Sequence, residues 1–352
     1  MEPVLTLDQL RTEITNERVD TVVLAFTDLQ GRLQGERIVG QRFLDAAGDF
    51  DLDPDFSTLR HVPWHEKTAL CLAEPRSGAS PRQVLRTQLE RLAERGLEAF
   101  AGTELEFLVF KDTYEEASEK GYKDLRPARG TEKLIGRLRR DMTVAGLAVE
   151  RSTGNAISFG SRPALRAADE LVVFTHGARE IAALEDRSIT FMAKYDEREG
   201  SACRLDVSLR GLDDAGFERV LAGQLACLRE LTLFYAPHVN SYKRFGSAPG
   251  VVGRRESQRL ELRLPGADAN PYLALAAMIA AGLHGLEREP AVDGAPPVPT
   301  TLREAAELFH GSQVAREAFG EEVVVHYLEH ARAELEAFEA AVTDWERVRG
   351  FE

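Results

Sequence analysis

The apolar positions in the first part of the chain recur at the spacing of β-strands. Between residues 19 and 38, two β-rich runs flank a turn at Asp28–Gly31, and this pattern predicts a hairpin. The apolar run 67–75 predicts another strand that stops at Pro75, whereas residues 54–64, which contain two prolines, predict a loop.

The rest of the chain mixes helical and strand periodicities. The turn-rich residues 76–81 separate it from the first part, so we expect an N-terminal domain of residues 1–80 and a second domain of residues 81–352. Residues 82–97 predict a helix and residues 98–110 a strand. Alternating segments follow, with helices predicted at 130–147, 164–185, 214–234 and 271–288 and strands at 147–151, 188–194, 203–209 and 259–264. This pattern predicts an α+β fold.

Acidic residues lie on one face of two predicted strands. Glu104 and Glu106 are two residues apart, so their side chains point the same way and are close enough to bind a hard cation. A solvated strand face gives the same pattern. Glu261 lies between Arg259 and Arg263, which is typical either of a salt-bridge ladder or of a ligand site.

Charge and cysteine content narrow the classes of function. The 352 residues include 44 Lys and Arg against 58 Asp and Glu, a formal net charge of −14. Because this charge disfavours binding to nucleic acid or to an anionic membrane, we expect neither as a partner. Three scattered cysteines and no apolar run of membrane-spanning length predict a cytoplasmic protein.

Other motifs carry weaker signals. Lys243 and Arg244 follow a turn-forming Asn-Ser pair, a setting in which an arginine can hold a carboxylate or phosphate. The glycine-rich residues 246–253 lack the known phosphate-binding patterns and predict a loop. His326 and His330 are four residues apart without a companion motif, so we interpret them as structural.

Taken together and in order, several segments resemble the glutamine synthetase family. The matching blocks span nearly the whole chain and include TDLQGR, PDFSTLRHVPW, TELEFLVF, ADELVVFTHGAREIA, ITFMAKYDEREGSAC, NSYKRF, ANPYLALAAMIAAGLHGLE and VTDWE. The resemblance implies an N-terminal β-grasp domain, a C-terminal domain with an antiparallel sheet, and rings of subunits with active sites between neighbours. It also implies ATP-dependent phosphorylation of glutamate, followed by displacement of phosphate by an amine.

The resemblance also assigns roles to individual residues. It implies that Glu104, Glu106 and Glu261 bind Mg²⁺ or Mn²⁺, and that Arg263 and Arg244 hold the substrate carboxylates and the reacting phosphate. Arg254 or Arg255 would replace a missing ATP clamp.

Three positions depart from the family pattern. Asn155 replaces one metal-binding glutamate, Arg204 the metal-binding histidine, and Asp206 the ATP-site histidine. We expect Arg204 to pair with Glu104, Glu106 and Glu261 in place of the metal. The loops around the nucleotide and ammonium sites are also short. Because phosphoryl transfer depends on metals and cationic clamps, these departures predict a pseudoenzyme with a degenerate metal site, weakened or lost ATP and metal binding, and a role as an assembly partner or carboxylate binder.

An alternative remains open. The chain would then be a diverged active enzyme that forms, transfers or cleaves a γ-glutamyl amide, alone or in a mixed ring with an intact homologue. In either case we expect a homo-oligomeric or mixed ring and a glutamate-like small molecule as ligand.

Overall fold

The computed structural model describes residues 5–45, 50–76, 80–120, 124–245, 258–290 and 297–351, and the backbone of 251–254. The helices are α1 (Leu7–Thr15), α2 (Gly40–Asp45), α3 (Pro81–Ala93), α4 (Tyr114–Glu119), α5 (Glu132–Val144), α6 (Ala164–Leu184), α7 (Asp214–Cys227), α8 (Thr232–Tyr235), α9 (Val239–Tyr242), α10 (Pro271–Arg288), α11 (Leu302–Gly311), α12 (Gln313–Phe319), α13 (Glu321–Ala340) and α14 (Asp344–Arg349). The strands are β1 (Thr21–Thr27), β2 (Leu33–Val39), β3 (Leu52–His61), β4 (Thr68–Pro75), β5 (Glu98–Glu106), β6 (Leu108–Phe110), β7 (Val149–Thr153), β8 (Ala156–Pro163), β9 (Ser188–Thr190), β10 (Cys203–Arg210), β11 (Val251–Arg254) and β12 (Arg259–Leu262).

The N-terminal sheet has the strand order β2-β1-β4-β3. Its central strands β1 and β4 are parallel, and β2 and β3 add to them antiparallel. The apolar face packs around Leu10, Leu24, Phe43 and Leu59. This arrangement is consistent with the β-grasp domain that the resemblance implies, while the boundary at residue 80 stays a prediction.

The loop predicted at residues 54–64 is wrong, because β3 occupies most of that segment. Pro54 pairs with Ala73 of β4, and the register shifts between Asp55 and Arg60. A proline is tolerated here because β3 lies at the edge of the sheet, where a missing N–H costs no ladder hydrogen bond.

The second sheet has the strand order β11-β12-β10-β5-β8-β7, with antiparallel pairing throughout. Helices α3 and α6 pack against β5, and α10 packs against both helices. The residues between sheet and helices form the main hydrophobic core. One face of the sheet is therefore covered by helices, and the opposite face carries the charged residues. This organisation confirms the α+β fold class.

One strand prediction and one loop prediction also need correction. The strand predicted at 98–110 breaks at Phe107, whose buried ring contacts Phe174 and Phe191, and β6 then pairs with β9 in a separate small sheet. In the segment predicted as a loop, residues 251–254 form β11 and pair with β12, while residues 246–250 lie outside the described residues.

A buried ionic network joins the two sheets. Arg82 of α3 forms ion pairs with Asp55 at 2.7 Å, Glu74 at 2.9 Å and Asp169 of α6 at 2.8 Å. The Tyr272 hydroxyl donates a further hydrogen bond to Asp169 at 2.6 Å. Burial lowers the pKa of Arg82, but its bonds to Asp169 outweigh this and raise the pKa well above its usual value.

Two further findings concern the features from which the cellular compartment was predicted, namely the apolar runs and the cysteines. Within the described ranges, no helix is long and apolar enough to cross a membrane. Cys71, Cys203 and Cys227 are free thiols in buried positions.

Candidate active site

The charged face of the second sheet gathers residues from three adjacent strands. Strand β10 lies between β5 and β12, and its register places Arg204 opposite Glu104 and Asp206 opposite Glu261. Because residues that pair across strands share a face, these four side chains project from the same side of the sheet as Glu106. β5 is an interior strand, so the carboxylates do not belong to a solvated sheet edge.

Arg204 bridges two of the three predicted metal ligands. Its Nη1 lies 3.3 Å from Glu104 Oε1 and its Nε lies 3.5 Å from Glu261 Oε1. Arg263 forms a second ion pair with the same Glu261 oxygen. The Glu261 side chain is only 2% exposed, so the two guanidinium groups compensate a charge that burial would otherwise make costly. The structure thus contains the predicted salt-bridge ladder, with Arg204 in place of Arg259.

Glu106 has a different environment. Its Oε2 accepts the backbone N–H of Ala202 at 2.8 Å, and no lysine or arginine of the described residues forms an ion pair with it. Glu106 lines a cavity of about 460 Å³ together with Asn155, Tyr195 and Glu199. The structure therefore brings Glu106 and Asn155, two of the sequence-predicted positions, to one cavity.

Tyr195 and Glu199 were missed by the sequence analysis. The Tyr195 hydroxyl donates a hydrogen bond to Glu199 Oε2 at 3.2 Å. Burial and the neighbouring Glu199 carboxylate raise the pKa of Tyr195 to about 12. An acid-rich run beside an aromatic residue, YDERE at 195–199, was the available signal.

Asn155 lies in the turn between β7 and β8. Its backbone carbonyl accepts the N–H of Phe107 at 2.9 Å, and its side-chain oxygen accepts the Thr131 hydroxyl at 3.4 Å. The preceding Gly154 has φ +57°, a conformation that favours glycine, and the hydrogen bond from Phe107 ties this turn to the end of β5.

The predicted substrate arginines are placed differently from one another. Arg263 has a side chain that is 43% exposed on the charged face. Arg244 instead donates from Nη2 to the carbonyls of Arg263 at 3.1 Å and Pro265 at 3.0 Å, which anchors the segment after β12. Burial lowers the pKa of Arg244. Arg254 lies in β11, its side chain being outside the described part of the structure, and Arg255 lies outside the described residues.

The side chains of the charged face are suited to a divalent cation beside Glu106 but not between Glu104 and Glu261. Between Glu104 and Glu261 lies the Arg204 guanidinium, which cannot coordinate a cation. No cluster of three or more His, Cys, Asp or Glu suited to a metal occurs among the described residues. Magnesium, however, is often held by one or two carboxylates together with waters and substrate phosphates. Glu106, with Glu199 and Asn155 in the same cavity, fits that kind of site.

The amino-acid sequence is similar to those of known proteins. The family model of the glutamine synthetase catalytic domain matches residues 78–252 and 247–349. The chain is 43% identical to the gamma-glutamylethanolamide synthetase GlnA4 of Streptomyces coelicolor, covering 99% of this chain and 96% of that protein. It is 28% identical to the glutamate–isopropylamine ligase of a Pseudomonas species, covering 97% of each.

The fold is likewise similar to solved structures. GmaS without ligand has a TM-score of 0.80 at 22% sequence identity, covering 97% of this chain and 98% of that one. GmaS with ADP has a TM-score of 0.81 at 21% identity, with the same coverage. At these identities the similarity establishes the fold alone.

These similarities overturn one expectation. The prediction of a pseudoenzyme that has lost ligation is contradicted, since a relative sharing 43% identity over 99% of the chain is a synthetase of a γ-glutamyl amide. The alignment spans 445 positions against 352 residues, so the relative carries insertions that this chain lacks.

Proposed function

The chain belongs to the glutamine synthetase family, and from this premise we propose that it is an ATP-dependent ligase that joins the γ-carboxyl group of glutamate to a primary amine. The observation that carries the proposal is the 43% identity, over nearly the full length of both chains, to a γ-glutamylethanolamide synthetase. A second relative, named as a glutamate–isopropylamine ligase, performs the same kind of coupling.

The proposed reaction has two steps. A γ-carboxylate oxygen of glutamate attacks the terminal phosphorus of ATP, which forms an acyl phosphate and releases ADP. The amine nitrogen then attacks the acyl carbon, the bond from that carbon to the phosphate oxygen breaks, and inorganic phosphate leaves. The nitrogen loses a proton, so the products are the amide, ADP, phosphate and H⁺.

The cavity beside Glu106 supports the second step. Two carboxylates, Glu106 and Glu199, line it together with the Tyr195 hydroxyl and the Asn155 amide. Carboxylates attract an alkylammonium ion and can accept the proton that it must lose before attack. We assign amine binding to Glu199, whose Oε2 is held in place by Tyr195.

The arginines of the charged face support the first step. Arg204 and Arg263 are 39% and 43% exposed, so their guanidinium groups are accessible from solvent although both contact Glu261. Positive groups fixed before the reaction stabilise the charge that develops on a transferring phosphoryl group. We assign that role to Arg204 and Arg263.

Members of the family use ATP and divalent metal ions. In this chain Glu106 would hold such an ion, which would neutralise charge on the phosphates of ATP. The carboxylates of Glu104 and Glu261 contribute by holding Arg204 in place.

The test is direct synthesis. The purified protein is incubated with glutamate, Mg-ATP and one of four amines: ethanolamine, isopropylamine, methylamine or ammonium. Release of ADP and formation of the γ-glutamyl amide are measured by mass spectrometry. With glutamate labelled by ¹⁸O in the γ-carboxylate, one ¹⁸O atom should appear in the released phosphate for each amide formed.

Variants locate the activity in the proposed site. Glu106→Gln should lower turnover by roughly two orders of magnitude or more, whereas Glu98→Gln, at the exposed start of the same strand, should leave it unchanged. Absence of both ADP and amide with every amine would overturn the proposal. Amide formation without transfer of ¹⁸O would retain ligation but reject the acyl phosphate.

A further inference from the structure

The side chain of Arg204 fills the space between the carboxylates of Glu104 and Glu261. A divalent cation shared by two carboxylates must approach an oxygen of each to about 2 Å. Here Arg204 contacts those oxygens instead, with Nη1 3.3 Å from Glu104 Oε1 and Nε 3.5 Å from Glu261 Oε1. Because a guanidinium is permanently charged and has no acceptor, it competes with a metal ion for both oxygens and cannot itself bind one.

The second oxygen of Glu104 also has partners. The Ser158 hydroxyl donates a hydrogen bond to Glu104 Oε2 at 3.0 Å, and Nη2 of Arg151 lies 3.4 Å from the same oxygen. Nε of Arg151 donates in turn to Ser158 Oγ at 3.2 Å. Since β5 lies between β10 and β8, these contacts come from the side opposite to Arg204. Both oxygens of Glu104 are therefore bound by side chains of the protein.

Glu261 is compensated by a second arginine. Its side chain is only 2% exposed, and Arg263 pairs with the same oxygen that Arg204 contacts. The side chains of Arg151 and Arg263 are 68% and 43% exposed, so both can turn away into solvent. Of these three arginines, only Arg204 forms ion pairs with both carboxylates in the described part of the chain. Access of a metal ion to the two carboxylates therefore depends on position 204.

We propose that Arg204 is a resident cation that excludes a divalent ion from Glu104 and Glu261, so that this one residue lowers the number of metal ions bound per chain by one. The ion assigned to Glu106 is separate, because Glu106 lines its own cavity with Glu199. The proposal concerns the site of the proposed function but does not depend on ligation, since ion binding is measured without glutamate, ATP or amine.

The experiment counts the Mn²⁺ ions bound per chain. The full chain is titrated to about 1 mM Mn²⁺, a range in which weak carboxylate sites fill, and free Mn²⁺ is measured by electron paramagnetic resonance. Arg204→His replaces the guanidinium by an imidazole, which together with the carboxylates of Glu104 and Glu261 provides three donors suited to a divalent ion. This variant should bind one more ion per chain than the native protein.

Two control variants identify the groups that hold the additional ion. Arg204→Lys keeps a cation at this position and should bind as many ions as the native protein. Arg204→His combined with Glu104→Gln removes one of the three donors and should lose the additional ion. Circular dichroism establishes that each variant is folded. As a second measure, Mn²⁺ should raise the Tm of Arg204→His more than that of the native protein, because an ion that binds the folded state stabilises it.

Two results would overturn the proposal. The first is a folded Arg204→His variant that binds no more Mn²⁺ than the native protein. The second, which needs no variant at position 204, is the loss of a bound ion when Glu104→Gln is introduced into the native protein. Failure of the ligase proposal is detected separately, by the absence of product. A native count of zero would contradict the ion assigned to Glu106, whereas a difference of one ion between Arg204→His and the native protein would still support the role of Arg204.

Discussion

At the scale of single residues, Arg204 is the position where this chain departs most clearly from a site built only of carboxylates. It contacts both Glu104 and Glu261, and its guanidinium remains partly accessible. Since a guanidinium is permanently charged and provides several fixed donors, it can act on phosphate oxygens while its two carboxylates orient it.

Replacing Arg204 by Gln should lower kcat for amide synthesis by roughly two to three orders of magnitude, because a fixed positive charge near the transferring phosphoryl group is lost. Arg204→Lys should retain part of the activity, since the charge remains but a single ammonium group cannot reproduce the separate contacts of Nη1 with Glu104 and of Nε with Glu261. Steady-state kinetics with saturating glutamate and amine measure the effect. Arg210→Gln, at the far end of the same strand, is the control, and an undiminished kcat in Arg204→Gln would refute the assignment.

Tyr195 provides a prediction about pH. Because burial and Glu199 raise its pKa to about 12, the phenol stays protonated at the pH values at which the enzyme is assayed. Tyr195→Phe should therefore raise KM for the amine about tenfold through loss of the hydrogen bond to Glu199, without moving the alkaline limb of the pH–rate profile. A shift of that limb in the variant would show that Tyr195 itself titrates in this range.

The site was only partly predictable from the sequence at this scale. The alternation along β5 correctly placed Glu104 and Glu106 on one face, and the substitution of arginine at position 204 was visible. The pairing of Arg204 with Glu104 and Glu261 was expected from the family resemblance, because local periodicity does not contain which strands are neighbours; the expected pairing with Glu106 is absent among the described residues. Tyr195 and Glu199 lie outside regular elements between β9 and β10, so no periodic pattern marked them.

At the scale of elements, helices α7 and α10 cross with their backbones in close contact. A Cβ atom added at Gly223 of α7 would lie 2.2 Å from the Ala281 carbonyl oxygen of α10, and one added at Gly285 would lie 2.1 Å from the Arg219 carbonyl oxygen. Glycine at both positions allows the two backbones to touch, which brings α10 against the core that supports the sheet.

Gly223→Ala should therefore destabilise the protein by about 1–3 kcal/mol, because the helices must move apart. Urea-induced unfolding followed by circular dichroism measures the change. Gly311→Ala is a matched control at the end of α11, where nothing lies within 4 Å of the added Cβ, and it should change stability by no more than about 0.5 kcal/mol. Equal stabilities of the two variants would contradict the close crossing.

Long helices with clear periodicity, such as α6 and α10, were predictable almost to their ends. The strands were less predictable: β7, β9, β10 and β12 lie where strands were expected, but the break at Phe107 and strands β3 and β11 were missed. In each of these cases pairing with a distant segment stabilises the strand, and it overrides prolines, glycines or a continuous local pattern.

At the scale of the whole molecule, the ionic network around Arg82 holds the N-terminal sheet against the helices of the second sheet. Its members come from β3, β4, α3 and α6, and the Arg82 side chain is only 4% exposed. Such a network is costly to break, because removing one partner leaves buried charges uncompensated.

Arg82→Gln should lower the free energy of unfolding by about 3–5 kcal/mol, and calorimetry of the variant should show an earlier transition of the N-terminal sheet. Arg95→Gln removes a surface ion pair with Glu287 and should cost no more than about 1 kcal/mol. An unchanged melting profile in Arg82→Gln would show that apolar packing alone couples the two sheets.

Assembly remains a prediction at this scale. The family forms rings, and we expect this chain to form a homo-oligomer in the absence of any other subunit. Native mass spectrometry of the purified protein tests this expectation. A monomer that becomes active only after addition of a homologue would instead support a mixed ring.

The alternation of side chains along β5 places two cavities on opposite sides of one strand. Leu105 lines a cavity of about 420 Å³ behind the sheet, whereas its chain neighbours Glu104 and Glu106 project from the front, where Glu106 lines the cavity of the proposed active site. A single layer of strand backbone therefore separates the charged face from an open space behind it, so at Leu105 the hydrogen bonds of β5 to β8 and β10, rather than side-chain packing alone, hold the two carboxylates in position.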